Sequence, residues 1–177
     1  DVERSRGLGD VYKRQVLEIA RDYNAGMSIC PMTKLLSEMH GKNKWEDFMK
    51  ENAPVRKAQA GIIEYLIKEK KRGNRQINQS ISVLRHIKQW PRHGRIRCVA
   101  GILYARISPD GHVYPCNRFF IDKKLPTSNA SRVGFSKAWE YISPVTCRSC
   151  WFNSRLDFNF IYNLDIRTIM EVMRFWA

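Results

Sequence analysis

The stretch Cys98-Val-Ala-Gly-Ile-Leu-Tyr-Ala-Arg-Ile-Ser-Pro-Asp-Gly-His-Val-Tyr-Pro-Cys116 decides how this chain is read. Its centre, Asp110-Gly111, lies between two alternating runs, Leu103/Ala105/Ile107 before it and Val113 after it. Asp-Gly in that setting signals a β-hairpin, because a type I′ turn needs positive φ and these residues tolerate it. The hairpin sets Cys98 at the outer end of one strand and Cys116 just past the end of the other. Farther on, Cys147-Arg-Ser-Cys150 spaces two more cysteines so that one tight turn can aim both sulfurs at one point. Four thiolates converging from a hairpin and a turn outline a metal or cluster site.

The spacing bears on which metal. Structural zinc is usually held by two short-spaced pairs, whereas seventeen residues separate Cys98 from Cys116. Iron–sulfur clusters accept cysteines from scattered positions, so the spacing is permissive there. On these residues alone, structural zinc and ordinary buried cysteines stay open as alternatives.

Cys98, Ala100-Gly101, Ile107, Pro109-Asp110-Gly111, Val113 and Pro115-Cys116 resemble the C-x-A-G … I-x-P-D-G-x-V-x-P-C segment of radical S-adenosylmethionine enzymes. The likeness is to their C-terminal SPASM/twitch extension, which binds auxiliary 4Fe-4S clusters. Twelve residues separate Cys98 from Gly111 and four separate Gly111 from Cys116, in keeping with that pattern. The full SPASM form carries further cysteines, but position 156 is Leu and no cysteine follows Cys150. The resemblance is therefore to the shorter twitch form. It implies one auxiliary 4Fe-4S cluster held by Cys98, Cys116, Cys147 and Cys150.

The 177 residues suffice for one ordinary domain or two small ones. No apolar run reaches membrane-spanning length, and no secretory signal is expected. Five cysteines, four of them in a clustered pattern, fit a reducing compartment, which points to the cytoplasm. The net charge of +14 reads as a solvated basic surface or as a surface for an anionic partner. Basic residues concentrate at Lys68, Lys70, Lys71, Arg72 and Arg75, and again at Arg85, Lys88, Arg92, Arg95 and Arg97. Trp90 is almost the sole aromatic among them, which argues against a single-strand stacking platform.

Residues 1–15 include Arg-Ser-Arg-Gly-Leu-Gly-Asp-Val-Tyr-Lys-Arg-Gln, which looks like a translated sequencing adapter, and are expected to be disordered. The native protein is then expected to extend further N-terminally. Val16, Leu17, Ile19 and Ala20 suit a helix stopped at Asn24-Ala-Gly26, with the glycine in the left-handed position. Met27 to Cys30 reads as one buried strand with Cys30 as a small buried residue, giving the αβ step of a parallel unit. Residues 33–44 read as loop, and Trp45, Phe48 and Met49 as a short helical turn. Pro54 opens a long helix, with Val55, Ala58, Ile62, Ile63, Leu66 and Ile67 at helical spacing and Gly73 after its basic end. Asn78 or Ser80 caps the next helix, whose apolar face is Ile81, Leu84, Ile87 and Trp90, and Pro91 ends it. Asn117 to Ser131 reads as loop. Ser136 is expected to cap a helix to Tyr141 that buries Phe135, Ala138, Trp139 and Ile142. A last helix from about Asp157 is expected to pack Phe160, Leu164, Ile169, Val172 and Phe175.

The expected fold class is α+β: 16–92 as the last strand and helices of a partial (β/α)6 radical S-adenosylmethionine barrel, and 93–177 as a twitch-like hairpin-plus-helix cluster domain. The resemblance implies a parent enzyme with S-adenosylmethionine and a second 4Fe-4S cluster in a C-x-x-x-C-x-x-C loop. That triplet is absent here, the remaining cysteine being Cys30, so this chain alone would not cleave S-adenosylmethionine. The implied role of the auxiliary cluster is electron relay during oxidation of a peptide or small-molecule substrate, with an electron donor or acceptor protein as partner. No catalytic base or nucleophile stands out. His112 is the one histidine near the cysteines and reads as a surface residue; His86 falls on the exposed side of its helix, and His40 and His93 in loop-like stretches. The competing function is a zinc-stabilised basic module that binds nucleic acid, and a third is an interaction domain with reduced cysteines.

Overall fold

The computed structural model describes residues 14–30, 53–89, 96–116, 127–142 and 152–176. They fall into two compact units, residues 14–30, 53–89 and 152–176 in one and 96–116 and 127–142 in the other. The architecture is mixed: helices, and a small three-stranded antiparallel sheet confined to the second unit.

The first unit is helical. Helix α1 covers 14–22, α2 is Ala53–Lys71 and α3 is Ile81–Lys88. Helices α6 (Asn153–Tyr162) and α7 (Ile166–Trp176) complete it. Helix α3 is the hub and packs on α2, α6 and α7. Val83, Leu84 and Ile87 are fully buried, and Ile63 and Leu66 of α2 and Leu156 of α6 close around them. His86, expected on the surface, is buried with its ring edge-on to Phe160 at 5.7 Å.

Both long ends of the helical run are closed by backbone geometry. Helix α2 ends in a Schellman motif: Gly73, at φ +93°, donates to the Lys70 carbonyl and Asn74 donates to that of Glu69. Helix α1 ends the same way, except that Asn24 (φ +47°) takes the left-handed position expected for Gly26. An asparagine tolerates that region, so the helix stops two residues sooner. A Cβ on Gly26 would lie 2.3 Å from the end of the Asn78 side chain, which would have to turn aside.

Three expectations change in this unit. Helix α1 begins at Arg14, so the end of the 1–15 stretch is helical. The buried strand at Met27–Cys30 is reduced to one parallel bridge, Met27 to Ile77, and Cys30 is exposed. A side chain replaces the neighbouring strand: buried Gln79 accepts from the Ile29 N–H at 2.7 Å and donates to the Ile29 carbonyl at 2.8 Å. The single C-terminal helix is two, broken where Leu164 turns left-handed (φ +57°), and Leu164 is exposed rather than packed. Asp165 then caps α7, accepting from the Thr168 N–H at 2.8 Å.

Those C-terminal helices group with 14–30 and 53–89 in the first unit. The reason is visible at the head of α3. Ser80 caps the helix by accepting from the Val83 N–H, and its hydroxyl meets Thr168 at 3.1 Å. The Ser80 N–H donates to Asp157 and the Ile81 N–H to Glu171, while Ser82 donates to Asp165. Every one of these acceptors comes from α6, α7 or the turn between them. Of the orphan donors at the start of α3, the Ile81 N–H is thus satisfied by the C-terminal pair and the Val83 N–H by Ser80 itself.

In the second unit, β1 (Arg106–Ile107) pairs antiparallel with β2 (His112–Tyr114), and β2 with β3 (Ser128–Asn129). Two helices follow, α4 (Ala130–Val133) and α5 (Phe135–Tyr141). Strand β3 lies in a stretch expected to be loop. Helix α5 begins one residue early, with Gly134 (φ +84°, ψ 154°) at its head and no side-chain cap from Ser136. Ala138 and Ile142 are buried against Val113, while Phe135 is half exposed and stacks on Trp139. The expectations for 33–44, Trp45, Phe48, Met49, Trp90, Pro91, Arg92, Arg95 and His93 lie outside the described residues, as do His40, Cys147 and Cys150.

Candidate metal centre

Cys98 lies in an extended segment that enters a tight loop. Ile102 and Leu103 both donate to the Val99 carbonyl, and Gly101 donates to that of Tyr104 at 2.8 Å. Gly101 sits at φ +77°, which lets the chain reverse within four residues. The reversal brings Tyr104 back beside Cys98, with the phenol oxygen 3.4 Å from the Cys98 sulfur. Val99 and Ala100 are wholly buried at the base of the loop.

The hairpin then carries the chain to Cys116. Gly111 donates to the Ser108 carbonyl and Ser108 to that of His112, both at 2.9 Å. Asp110 is not in the positive-φ region; Gly111 is, at +85°. The turn is thus a type I turn followed by a left-handed glycine, not the expected type I′. Pro109 explains the choice, since its ring fixes φ near the value a type I turn needs at that position. Ser108 hydrogen-bonds to the Asp110 carboxylate, and this bond holds the Asp110 pKa below the usual carboxylate value.

The register pairs Arg106 with Tyr114 and Ile107 with Val113. Continued by one more pleat, the same register sets Tyr104 opposite Cys116. The outcome is one buried cluster of Cys98, Ala100 and Cys116, with Tyr104 packed against it. Residue alternation separates this cluster from the helix side of the sheet. Val113 faces Ala138 and Ile142, while Tyr114 and Cys116 share the opposite parity. The cysteines therefore meet through a tight loop before β1 rather than by flanking two long strands.

The hairpin tip is held from outside by contacts that the sequence did not announce. Asn129 donates through Nδ2 to the Asp110 carbonyl at 2.7 Å and accepts from the Ser131 N–H at 2.9 Å, capping α4. The Ala130 N–H donates to the Gly111 carbonyl at 2.8 Å. A Cβ on Gly111 would lie 2.7 Å from the Ser131 hydroxyl. Asn129-Ala-Ser131 carries the signal for this, an Asn cap at a helix start. His112 faces Thr127, Nδ1 to Oγ1 at 3.2 Å, and its ring is 6.4 Å from that of Tyr114.

Cys98 and Cys116 are thus brought together, buried and not disulfide-bonded. The two cysteines share one buried cluster, and thiol ligands are of the type that thiophilic metals prefer. Among the described residues no group of three or more His, Cys, Asp or Glu side chains could hold a metal ion, so the rest of such a site would have to come from elsewhere. Of the basic residues read from sequence, Lys70 donates to the Ile77 carbonyl, Arg72 pairs with Glu69 and Lys88 with Glu64. No described helix is long and apolar enough to cross a membrane. Comparison with protein-family models, curated proteins and solved structures finds no match to the chain.

Proposed function

We propose that the second unit is a cysteine-ligated cluster module, with Cys98 and Cys116 as one half of the ligand set and Cys147 and Cys150 as the other. The reading goes with the resemblance to radical S-adenosylmethionine enzymes. The chain would be the C-terminal part of such an enzyme, carrying an auxiliary 4Fe-4S cluster. The observation that carries it is the meeting of Cys98 and Cys116 in one buried cluster despite seventeen intervening residues.

When bound, a four-iron cluster with four cysteinyl ligands has no open iron and supplies one-electron transfer. The chain's own residues shape its surroundings. Val99 and Ala100 exclude water beside the two sulfurs. The Tyr104 phenol, 3.4 Å from the Cys98 sulfur, is placed to donate to a thiolate. A donor on a ligating sulfur raises the reduction potential, because it offsets the charge that reduction adds. Gly101 and the Ser108–Gly111 turn hold the two cysteines in register. The substrate is then a peptide or small molecule bound elsewhere in the parent enzyme, and the electron partner is a redox protein.

The test is anaerobic reconstitution of the chain with iron and sulfide, and in parallel with zinc, followed by quantification of all three per chain. About four irons and four sulfides per chain, lost in the Cys147→Ala/Cys150→Ala variant, are expected. Tightly held zinc with negligible iron would overturn the cluster reading in favour of structural zinc.

A further inference from the structure

The helical unit contains a cavity of about 830 Å³ that the cysteine chemistry does not use. It is formed by the 24–26 turn, the segment after α2 and the outer side of α7. Its volume lies within the roughly 300–1,000 Å³ typical of small-molecule sites. Lys70, Lys71, Arg75, Arg167 and Arg174 line it, against the single carboxylate of Glu171. That carboxylate is already committed, accepting from the Ile81 N–H at 3.0 Å and lying 3.8 Å from Lys70. Among the described residues, Lys71, Arg75, Arg167 and Arg174 have no acidic partner.

Arg75, Arg167 and Arg174 bring three guanidinium groups to one recess. Guanidinium groups recognise phosphate oxygens through paired N–H donors.

We infer that this cavity binds a small phosphate-bearing anion, with Arg75 and Arg167 holding its charge. Concavity distinguishes it from a nucleic-acid surface, which needs an open basic track with stacking residues. The inference is independent of the cysteines, so it stands or falls without the cluster.

The experiment titrates the full chain with inorganic pyrophosphate by calorimetry, with thermal melting as a second readout. Saturable binding and a rise in melting temperature with ligand concentration are expected. The Arg75→Glu/Arg167→Glu variant changes exposed residues and is expected to weaken binding at least about tenfold. Lys57→Glu/Arg132→Glu makes the same change in net charge away from the cavity and is expected to stay within about twofold. Equal loss in both double variants would overturn the site by showing diffuse electrostatics. No pyrophosphate binding would overturn it, as would an RNA oligonucleotide that binds without competition from pyrophosphate.

Discussion

The helical unit and the cysteine unit hold themselves together by different means. In the first, α3 is surrounded on three sides by other helices, and Val83, Leu84 and Ile87 are fully buried at the centre. Its polar groups are knitted to α6 and α7 through Ser80, Asp157, Thr168 and Glu171. In the second, the described strands are two or three residues long and the buried clusters are small, Val113 with Ala138 and Ile142 on one face, Cys98 with Ala100 and Cys116 on the other. Its shape comes from turn geometry at Gly101, Gly111 and Gly134 more than from buried area. Small units of that kind commonly take a metal or a cross-link to complete their stability. The proposed cysteine ligands would supply such a link.

The largest expected effect is in the helical core. Leu84→Ala removes a fully buried side chain from the hub helix and should cost about 2–5 kcal/mol in denaturant unfolding. A loss under about 1 kcal/mol would mean that α3 is not the hub. In the cysteine unit the counterpart is a turn residue. Gly111→Ala combines left-handed backbone with a Cβ 2.7 Å from the Ser131 hydroxyl. It should cost about 1–3 kcal/mol and speed amide exchange at His112–Tyr114 while sparing α3. Unchanged exchange there would deny turn geometry the role given to it.

Two smaller effects sharpen the helical side. Ser80→Ala removes the α3 cap and one partner of the Thr168 hydroxyl, and should cost about 1–2 kcal/mol by chemical denaturation. Leu164→Gly should do the opposite. Leu164 is exposed and left-handed, so glycine relieves strain of about 1 kcal/mol and gives up no buried surface. A destabilised Leu164→Gly protein would contradict the assigned backbone.

The smallest effect is one of pH. Burial raises the Asp165 pKa, but hydrogen bonds from the Thr168 N–H, the Ser82 hydroxyl and the Thr168 hydroxyl more than offset it, so the net shift is downward. A carboxyl whose folded pKa lies below its unfolded value stabilises the fold above the unfolded pKa of 3.8 and loses that contribution as pH falls through the folded pKa. Asp165→Asn should therefore flatten the acid side of the stability profile below about pH 4. Asp157 has the reverse sign: burial raises its pKa, so its charged form opposes folding as pH rises through the folded value. An acid limb unchanged in Asp165→Asn would remove Asp165 from its capping role.

The helices were legible where local rules dominate. Pro54 and Gly73 bracket a helix that runs Ala53–Lys71, and Ser80 caps the next. Asp110-Gly111 marked the hairpin, but the turn type went to Pro109, whose fixed φ outweighs the left-handed tolerance of Asp. Long-range choices were not legible. Nothing local says that Gln79 would pair with Ile29 in place of a strand, or that α6 and α7 would close the head of α3. The break at Leu164 was hidden because a left-handed leucine has no sequence signature, although Asp165 and Thr168 spelled the cap that follows it. The sequence grouped Cys98 with Cys116, and the structure places both in one buried cluster. Gly101 folds Tyr104 back onto Cys98, and the hairpin register returns Cys116 to Tyr104.

The measurement closest to the central claim is the metal content of the single variants Cys98→Ala and Cys116→Ala after anaerobic reconstitution, beside the unaltered chain. The unaltered chain is predicted to bind about four irons with sulfide, and each variant to lose them. A variant that keeps its full iron content, or an unaltered chain that binds no metal, would contradict the assignment of the paired cysteines as ligands.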